Sequence, residues 1–227
     1  MQDAEFFSMD EISDGMGQAP QSLQIGDLAP NFQARTTMGM VKLSDFRGRW
    51  LILFSHPADF TPVCTSEFVA LSKADDQFKK LDCALLAISV DSLYSHLAWV
   101  RAIHDGFGVT VSFPMVEDPS LIIGRAYGMI ADRSPDAASM RSTYFIDPAG
   151  IVRALICYPA TVGRSVAEML RVLAALQVVD ADHVVTPEGW HPGSPVLLPP
   201  HQDQATLMAE VDDQLWFHRS KPQPEKE

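Results

Sequence analysis

Strongly apolar runs and helical periodicities alternate through the middle of the chain. Residues 50–55 (WLILFS) and 84–90 (ALLAISV) are almost wholly apolar, which predicts strands buried on both faces. After each run, apolar residues recur at the spacing of an amphipathic helix, over residues 62–81 and from Leu93 to about residue 104. In the second helix, the predicted core-facing residues are Leu93, Leu97, Val100 and Ile103.

The later part of the pattern adds shorter elements. Pro148-Ala149-Gly150 has turn composition and predicts a hairpin between its flanking strands. Ser165 and Glu168 predict a capping box at the start of a last helix. The resulting order predicts an α/β fold with a mixed central sheet flanked by helices, in a thioredoxin-like layout. These predicted elements are strands at 113–116, 142–147 and 151–158 and helices at 121–127 and 165–177.

Composition divides the chain into three parts. Residues 1–21 are rich in Asp, Glu, Gly, Gln and Ser, which predicts a flexible acidic arm. Residues 22–179 carry the strands and helices of the α/β domain. Residues 180–227 are proline-rich near their start and lack a clear period, so we predict a loop-rich C-terminal extension rather than a second core.

Charge and cysteine content exclude several classes of function. The net charge of −12 argues against a nucleic-acid or anionic-membrane partner, since both require a basic surface. No apolar run is long enough to span a bilayer, and residues 1–14 do not resemble a secretory signal, so we expect a cytoplasmic protein. Three well-separated cysteines argue against a disulfide-stapled secreted fold, and they form neither a C-x-x-C redox pair nor a cysteine-rich zinc site. We expect neither a metal nor a cofactor.

The segment before the first predicted helix concentrates the candidate chemistry. With Thr61 as the N-cap and Pro62 at the first helical position, Cys64 falls in the first turn. Unpaired N–H groups and the helix dipole there favour a thiolate, which is the nucleophilic form of cysteine. Position alone leaves open that Cys64 is a small buried structural residue, Pro57 a strand terminator and His56 an ordinary core histidine.

A longer stretch of sequence decides between these interpretations. Pro57, Thr61 and Cys64 match the P-x-x-x-T-x-x-C signature of peroxiredoxins, and FSHPADFTPVCTSE closely resembles their one-cysteine, glutathione-peroxidase-like branch. The resemblance covers about residues 22–200. It is carried further by residues 26–32, 88–92, 127–129, 141–147, 158–164 and 185–190, in family order.

The resemblance implies a peroxidase that reduces hydrogen peroxide or organic hydroperoxides through a Cys64 sulfenic acid. Thr61 matches the threonine that hydrogen-bonds the peroxide, and Pro57 matches the proline that shields the sulfur from bulk water. Arg141 matches the arginine that holds the thiolate and the peroxide. Arg164, His56 and Glu67 are expected in or behind the pocket. The serine linked to phospholipase activity in some relatives is replaced by Arg49, so that activity is not expected.

The cysteine distribution indicates how Cys64 is reset. No cysteine follows Cys157, and both Cys83 and Cys157 belong to or adjoin predicted strands, which favours structural roles. We therefore expect a one-cysteine cycle with an external thiol, such as thioredoxin or glutathione. A two-cysteine cycle through Cys83 or Cys157 stays open, as does a peroxide sensor or chaperone-like protein. A non-catalytic thioredoxin-like module is disfavoured by the intact Thr61, Cys64 and Arg141. The resemblance also implies a homodimer or a ring of dimers, in which the C-terminal extension at 180–227 packs across the partner subunit.

Overall fold

The structure is a computed structural model of the 227-residue chain and describes residues 23–130, 139–209 and 215–223. The predicted arm at 1–21 lies outside the described residues. The strands are β1 (Gln33–Thr36), β2 (Gly39–Lys42), β3 (Trp50–Ser55), β4 (Cys83–Ser89), β5 (Met115–Glu117), β6 (Arg141–Ile146), β7 (Val152–Tyr158), β8 (Val196–Leu197) and β9 (Ser220–Lys221). The helices are α1 (Pro62–Lys80), α2 (Leu93–Phe107), α3 (Ile122–Ala126), α4 (Val166–Asp182) and α5 (Gln204–Ala209).

A seven-stranded sheet organises the described part of the chain in the order β2-β1-β5-β4-β3-β6-β7. β3 pairs in parallel with β4, and β4 pairs in parallel with β5, whereas β6 is antiparallel to both β3 and β7. The sheet is therefore mixed, as the sequence predicts. The predicted hairpin is the β6–β7 pair, and α4 extends five residues beyond the predicted end at 177.

The two faces of the sheet carry separate apolar clusters. On β3, Ile52 and Phe54 pack into the cluster that contains α1, α2 and α4. Leu51 and Leu53 point into the opposite cluster, which contains α3 and Tyr127. All six residues of β3 are buried, so the continuous apolar run has the double-sided burial that its composition predicts.

The predicted core face of α2 is wrong in part. Ile103 is buried as expected, but Leu97 is 45% exposed, while His96 and Trp99 are 0% and 2% exposed. The helix presents His96 inward because its imidazole has buried hydrogen-bond partners, which removes the usual cost of burying a polar group. Hydrophobic periodicity alone counts a histidine as polar and misplaces this face.

The C-terminal extension packs on α4 through a small cluster of its own. Val184, Trp190 and Val196 are nearly fully buried against Ala174 and Val178 of α4. Beyond it, β8 and β9 form a two-stranded antiparallel sheet. Within the described residues, no helix is both long and apolar enough to cross a membrane.

Candidate active site

The loop between β3 and α1 brings Cys64 to the inside of the protein. Thr61 occupies the N-cap position with extended backbone angles, and Pro62 opens the helix. Cys64 follows in the first turn and is fully buried. The position of Thr61 is as predicted, but its side chain does not cap the helix. Its hydroxyl instead donates to the carbonyl oxygen of Ala58 at 2.9 Å, which leaves the hydroxyl oxygen available as an acceptor.

Arg141 lies directly against the sulfur of Cys64. Its Nη1 is 3.3 Å from Cys64 Sγ, and both side chains are buried. The carbonyl oxygen of Ala160 accepts from Arg141 Nε at 3.0 Å and from Nη2 at 2.7 Å, which fixes the plane of the guanidinium. A permanent cation at this distance is placed to stabilise negative charge on the sulfur.

Glu67 lies between two buried guanidinium groups. Its Oε2 accepts from Arg141 Nη1 at 2.9 Å and from Arg164 Nη2 at 2.7 Å. Its Oε1 accepts from Arg164 Nε at 3.0 Å and from the Arg164 backbone N–H at 2.7 Å. Burial alone would raise the pKa of Glu67, but the hydrogen bonds and charge of Arg164, with the charge of Arg141, lower it below its ordinary value. Two cations and one anion leave one positive charge, which a Cys64 thiolate neutralises.

Arg164 holds Glu67 in position. Besides its bonds to Glu67, its Nη1 donates to the carbonyl oxygen of Ser142 at 3.1 Å and to Thr143 Oγ1 at 3.2 Å. Its guanidinium carbon also lies 5.2 Å from the centre of the Phe54 ring. These contacts place Arg164 in the support of the site, where it orients the carboxylate that in turn orients Arg141.

His56 belongs to a buried polar cluster that sequence reasoning did not foresee. Its Nε2 is 2.9 Å from Asp59 Oδ1, and His96 Nδ1 is 2.8 Å from Asp59 Oδ2. Burial would raise the pKa of Asp59, but hydrogen bonds from the two histidines outweigh it and lower the pKa to about 2. Asp59 lies within the signature segment and could have been noticed there. The only sequence signal for His96 is that it lies three residues before Trp99, a spacing that puts both on one helix face.

This cluster contains the types of side chain that bind metals, although we expected no metal site. The ligand atoms of His56, Asp59 and His96 lie within 4.8 Å of one another. Both oxygens of the Asp59 carboxylate already accept from an imidazole, whereas His56 Nδ1 has no hydrogen-bond partner among the described residues.

The other two cysteines occupy different surroundings. Cys83 is buried in the sheet, and burial raises the pKa of its thiol to about 12. Cys157 is exposed on β7, with its sulfur 3.6 Å from Ser142 Oγ and 3.9 Å from Met140 Sδ. All three cysteines are free thiols.

Comparison with known proteins supplies the family. Residues 25–155 match the sequence model of the AhpC/TSA family, and residues 175–213 match the C-terminal domain of 1-Cys peroxiredoxin. The chain belongs to the AhpC/TSA family of peroxiredoxins. Among curated peroxiredoxins, it is 45% identical to peroxiredoxin 2 of Caldanaerobacter subterraneus over 177 residues, which cover 78% of this chain and 80% of that one. The chain is therefore a thiol-dependent peroxidase of the peroxiredoxin class.

Solved peroxiredoxin structures share its fold. The yeast mitochondrial 1-Cys peroxiredoxin superposes with a TM-score of 0.79 at 36% identity, over 88% of this chain and 100% of that one. Peroxiredoxin 6 of Arenicola marina superposes with a TM-score of 0.80 at 30% identity, over 90% and 100% of the two chains. The thioredoxin-like fold and its C-terminal extension are thus those of peroxiredoxins.

Proposed function

We propose that this peroxiredoxin reduces hydrogen peroxide and organic hydroperoxides in a one-cysteine cycle, with Cys64 as the reacting thiol and an external thiol as the reductant. The observation that carries the proposal is the 3.3 Å contact between Arg141 Nη1 and Cys64 Sγ in the first turn of α1. A helix N-terminus and a buried guanidinium there both favour the nucleophilic thiolate.

The chemistry follows from that arrangement. The Cys64 thiolate attacks one peroxide oxygen, an S–O bond forms, and the O–O bond breaks. The sulfur loses two electrons and becomes a sulfenic acid, while the second oxygen leaves as an alkoxide or hydroxide and takes a proton from solvent. Arg141 stabilises the charge that develops on the oxygens, and the Thr61 hydroxyl hydrogen-bonds the peroxide. Pro57, which is buried within the loop between β3 and α1, shields the sulfur from bulk water.

Resetting Cys64 requires thiols from outside the chain. One external thiol condenses with the sulfenic acid to a mixed disulfide and water, and a second thiol releases the Cys64 thiol as the external disulfide forms. Cys83 is a poor resolving residue because it is buried with a raised pKa. The match to a 1-Cys C-terminal domain supports this cycle, as does the yeast 1-Cys neighbour, which is resolved via glutathione/thioredoxin systems. Three free thiols favour a reducing, cytoplasmic compartment.

A steady-state assay tests the cycle directly. Peroxide consumption is followed with thioredoxin, glutathione or a small dithiol as the reductant, and we expect many turnovers with at least one of them. Cys64→Ser abolishes turnover, while Cys157→Ser serves as the matched control and leaves it intact. After one equivalent of peroxide, mass spectrometry should show a Cys64 sulfenic acid without an intrachain bridge.

Two results would contradict the proposal in different ways. A stoichiometric disulfide from Cys64 to Cys83 or Cys157 would establish a two-cysteine cycle. Reaction with only one equivalent of peroxide in every reductant would instead indicate a peroxide sensor.

We also propose that the protein is at least a homodimer. β7 pairs with β6 on one side and has no strand on its other side within the described residues. Leu155 and Cys157 are exposed on this strand, and a second copy of the chain fits an open edge by antiparallel pairing. Sedimentation velocity distinguishes a monomer, a dimer and a ring of dimers. We expect Leu155→Glu to weaken association and Val162→Glu, at an exposed position outside β7, to leave it unchanged.

A further inference from the structure

Three polar side chains meet where the active-site loop at 56–61 packs against α2. His56 begins the loop, Asp59 lies within it, and His96 comes from α2. His56 and His96 are fully buried, and Asp59 is 7% exposed. The peroxidase chemistry proposed above uses none of their side chains directly, so the cluster requires its own explanation.

The acceptors around the two imidazoles determine where the protons of the cluster lie. A carboxylate only accepts, so His56 Nε2 and His96 Nδ1 each carry the hydrogen that they share with Asp59. His96 Nε2 faces the carbonyl oxygen of Val116 at 3.2 Å, which also only accepts. Both nitrogens of His96 therefore face acceptors, an arrangement in which an imidazolium would donate from both and pair with the Asp59 carboxylate.

One nitrogen of His56 has no partner among the described residues. His56 Nδ1 is buried and makes no hydrogen bond to any residue that the structure describes. With Nε2 protonated, a neutral His56 presents Nδ1 as a bare lone pair. Burial lowers the pKa of His56, although Asp59 opposes the shift, so the neutral ring is the form the site favours.

We propose that Asp59 and His96 are positioning residues of this peroxidase: their buried ion pair anchors the active-site loop and fixes His56 as its Nε2–H tautomer. The inference rests on the proposed role of Cys64, since its kinetic consequence is the rate at which that thiol reacts. The loop carries Pro57 and Thr61, so its position determines where the peroxide meets the sulfur.

Further contacts show that the loop depends on such anchors. The Asp59 backbone N–H donates to Asp91 Oδ2 at 2.9 Å, and Ser139 Oγ donates to the His56 carbonyl oxygen at 2.8 Å. Phe60 has a φ of 58°, a conformation that an aromatic residue adopts only when its surroundings impose it. The ion pair is the anchor that joins the loop side chain to α2 and, through Val116, to β5.

Asp59→Asn tests the proposal with little change of shape. The amide oxygen can accept from one imidazole, but the amide nitrogen then opposes the other. Long-range ¹H–¹⁵N NMR of the wild type should show His56 protonated only at Nε2 and His96 protonated at both nitrogens. We expect Asp59→Asn to lose this pattern and to slow Cys64 oxidation by up to about 100-fold, the loss that misplacement of a reacting group by ~1 Å can produce.

Controls separate a positioning role from a general loss of structure. Asp105→Asn removes the partner of Arg101 on the exposed side of α2 and should leave the NMR pattern and the rate unchanged. His96→Asn keeps a donor toward Asp59 without the charge, and we expect a smaller loss in the same direction. It replaces Asp59→Asn as the deciding variant if that chain does not fold.

The outcomes distinguish this inference from the proposed function. A wild-type His56 protonated at Nδ1, or folded variants that oxidise at the wild-type rate, would overturn the positioning role. The NMR pattern needs no peroxide and stands if Cys64 proves not to be the reacting thiol. Normal turnover by Cys64→Ser would overturn the proposed function instead.

Discussion

Replacing Glu67 by glutamine tests the network that surrounds the Cys64 sulfur. The substitution keeps the shape of the side chain but removes its charge and makes one of its two oxygens an NH₂ group. Each oxygen of Glu67 accepts two hydrogen bonds from Arg141 or Arg164. Whichever way the amide is oriented, an NH₂ group then opposes two N–H donors.

The expected loss of stability in Glu67→Gln follows from the burial of the network. The side chains of Glu67, Arg141 and Arg164 are only 2–3% exposed, so water cannot replace the lost partner. Removing one partner of a buried ion pair typically costs about 3–5 kcal/mol. We therefore expect Glu67→Gln to lower the free energy of unfolding by about 3–5 kcal/mol. Peroxidase activity should fall as well, because Arg141 loses one of the acceptors that orient it toward the sulfur.

Urea denaturation at fixed protein concentration measures this difference, with Glu168→Gln as the matched control. Glu168 forms an ion pair with Arg171 at 2.7 Å, but its side chain is 40% exposed. An exposed pair contributes only about 0–1 kcal/mol, so the control should be almost neutral. If both substitutions lowered the free energy of unfolding by the same small amount, burial would not be what makes the Glu67 ion pairs stabilising.

Three further predictions concern Cys83, Asp59 and Ser92. Burial raises the pKa of the Cys83 thiol to about 12, whereas Cys157 is exposed. A thiol reagent at neutral pH should therefore label Cys157 in the native protein and Cys83 only after unfolding. Rapid labelling of Cys83 in the native protein would contradict this. The Asp59 pKa is about 2 in the fold against an ordinary 3.8, so its stabilisation is complete above pH 3.8 and is lost as the pH falls toward 2. For Asp59→Asn, the free energy of unfolding measured from denaturation curves should change less with pH across that window. Ser92 Oγ accepts from the Ser95 N–H at the start of α2, so Ser92→Ala should cost about 1 kcal/mol in thermal or urea unfolding, and no loss would exclude a capping role.

Elements with strong local signals could be predicted from the sequence. β3 and β4 are continuous apolar runs, and α1 begins where Thr61 and Pro62 predict it. The position of Cys64 in the first turn follows from these boundaries alone. These features depend on neighbours within a few residues, which is the range over which sequence patterns carry information.

Features that depend on distant partners could not be derived from patterning. His96 is inward because Asp59 lies opposite it, and the two residues are 37 positions apart in the chain. Glu67 looks like an ordinary helix-surface carboxylate until the fold brings two arginines to it. Arg141 was identified only through the family resemblance, because nothing in its local sequence indicates a contact 77 residues away.

The register between β3 and β6 explains why Arg141 reaches Cys64. Phe54 lies opposite Thr143 in this antiparallel pair, and the same register places Arg141 opposite the start of the active-site loop. Side chains alternate along β6, so Arg141 points to the same face as Phe145, which lies in the cluster that contains Cys64. A slip of one residue would turn Arg141 to the other face.

Ser55 secures this register at the end of the ladder. Its Oγ accepts from the Ser142 N–H at 3.1 Å and donates to the carbonyl oxygen of Met140, so one hydroxyl bridges the residues on both sides of Arg141. Ser55 is 1% exposed, and an alanine there would leave the Ser142 N–H buried without that partner. The guanidinium is thus aimed at the sulfur by a backbone contact as well as by Glu67 and Ala160. Loss of the Ser55 hydroxyl should therefore lower peroxidase activity, even though this side chain contacts neither the Cys64 sulfur nor the Arg141 guanidinium.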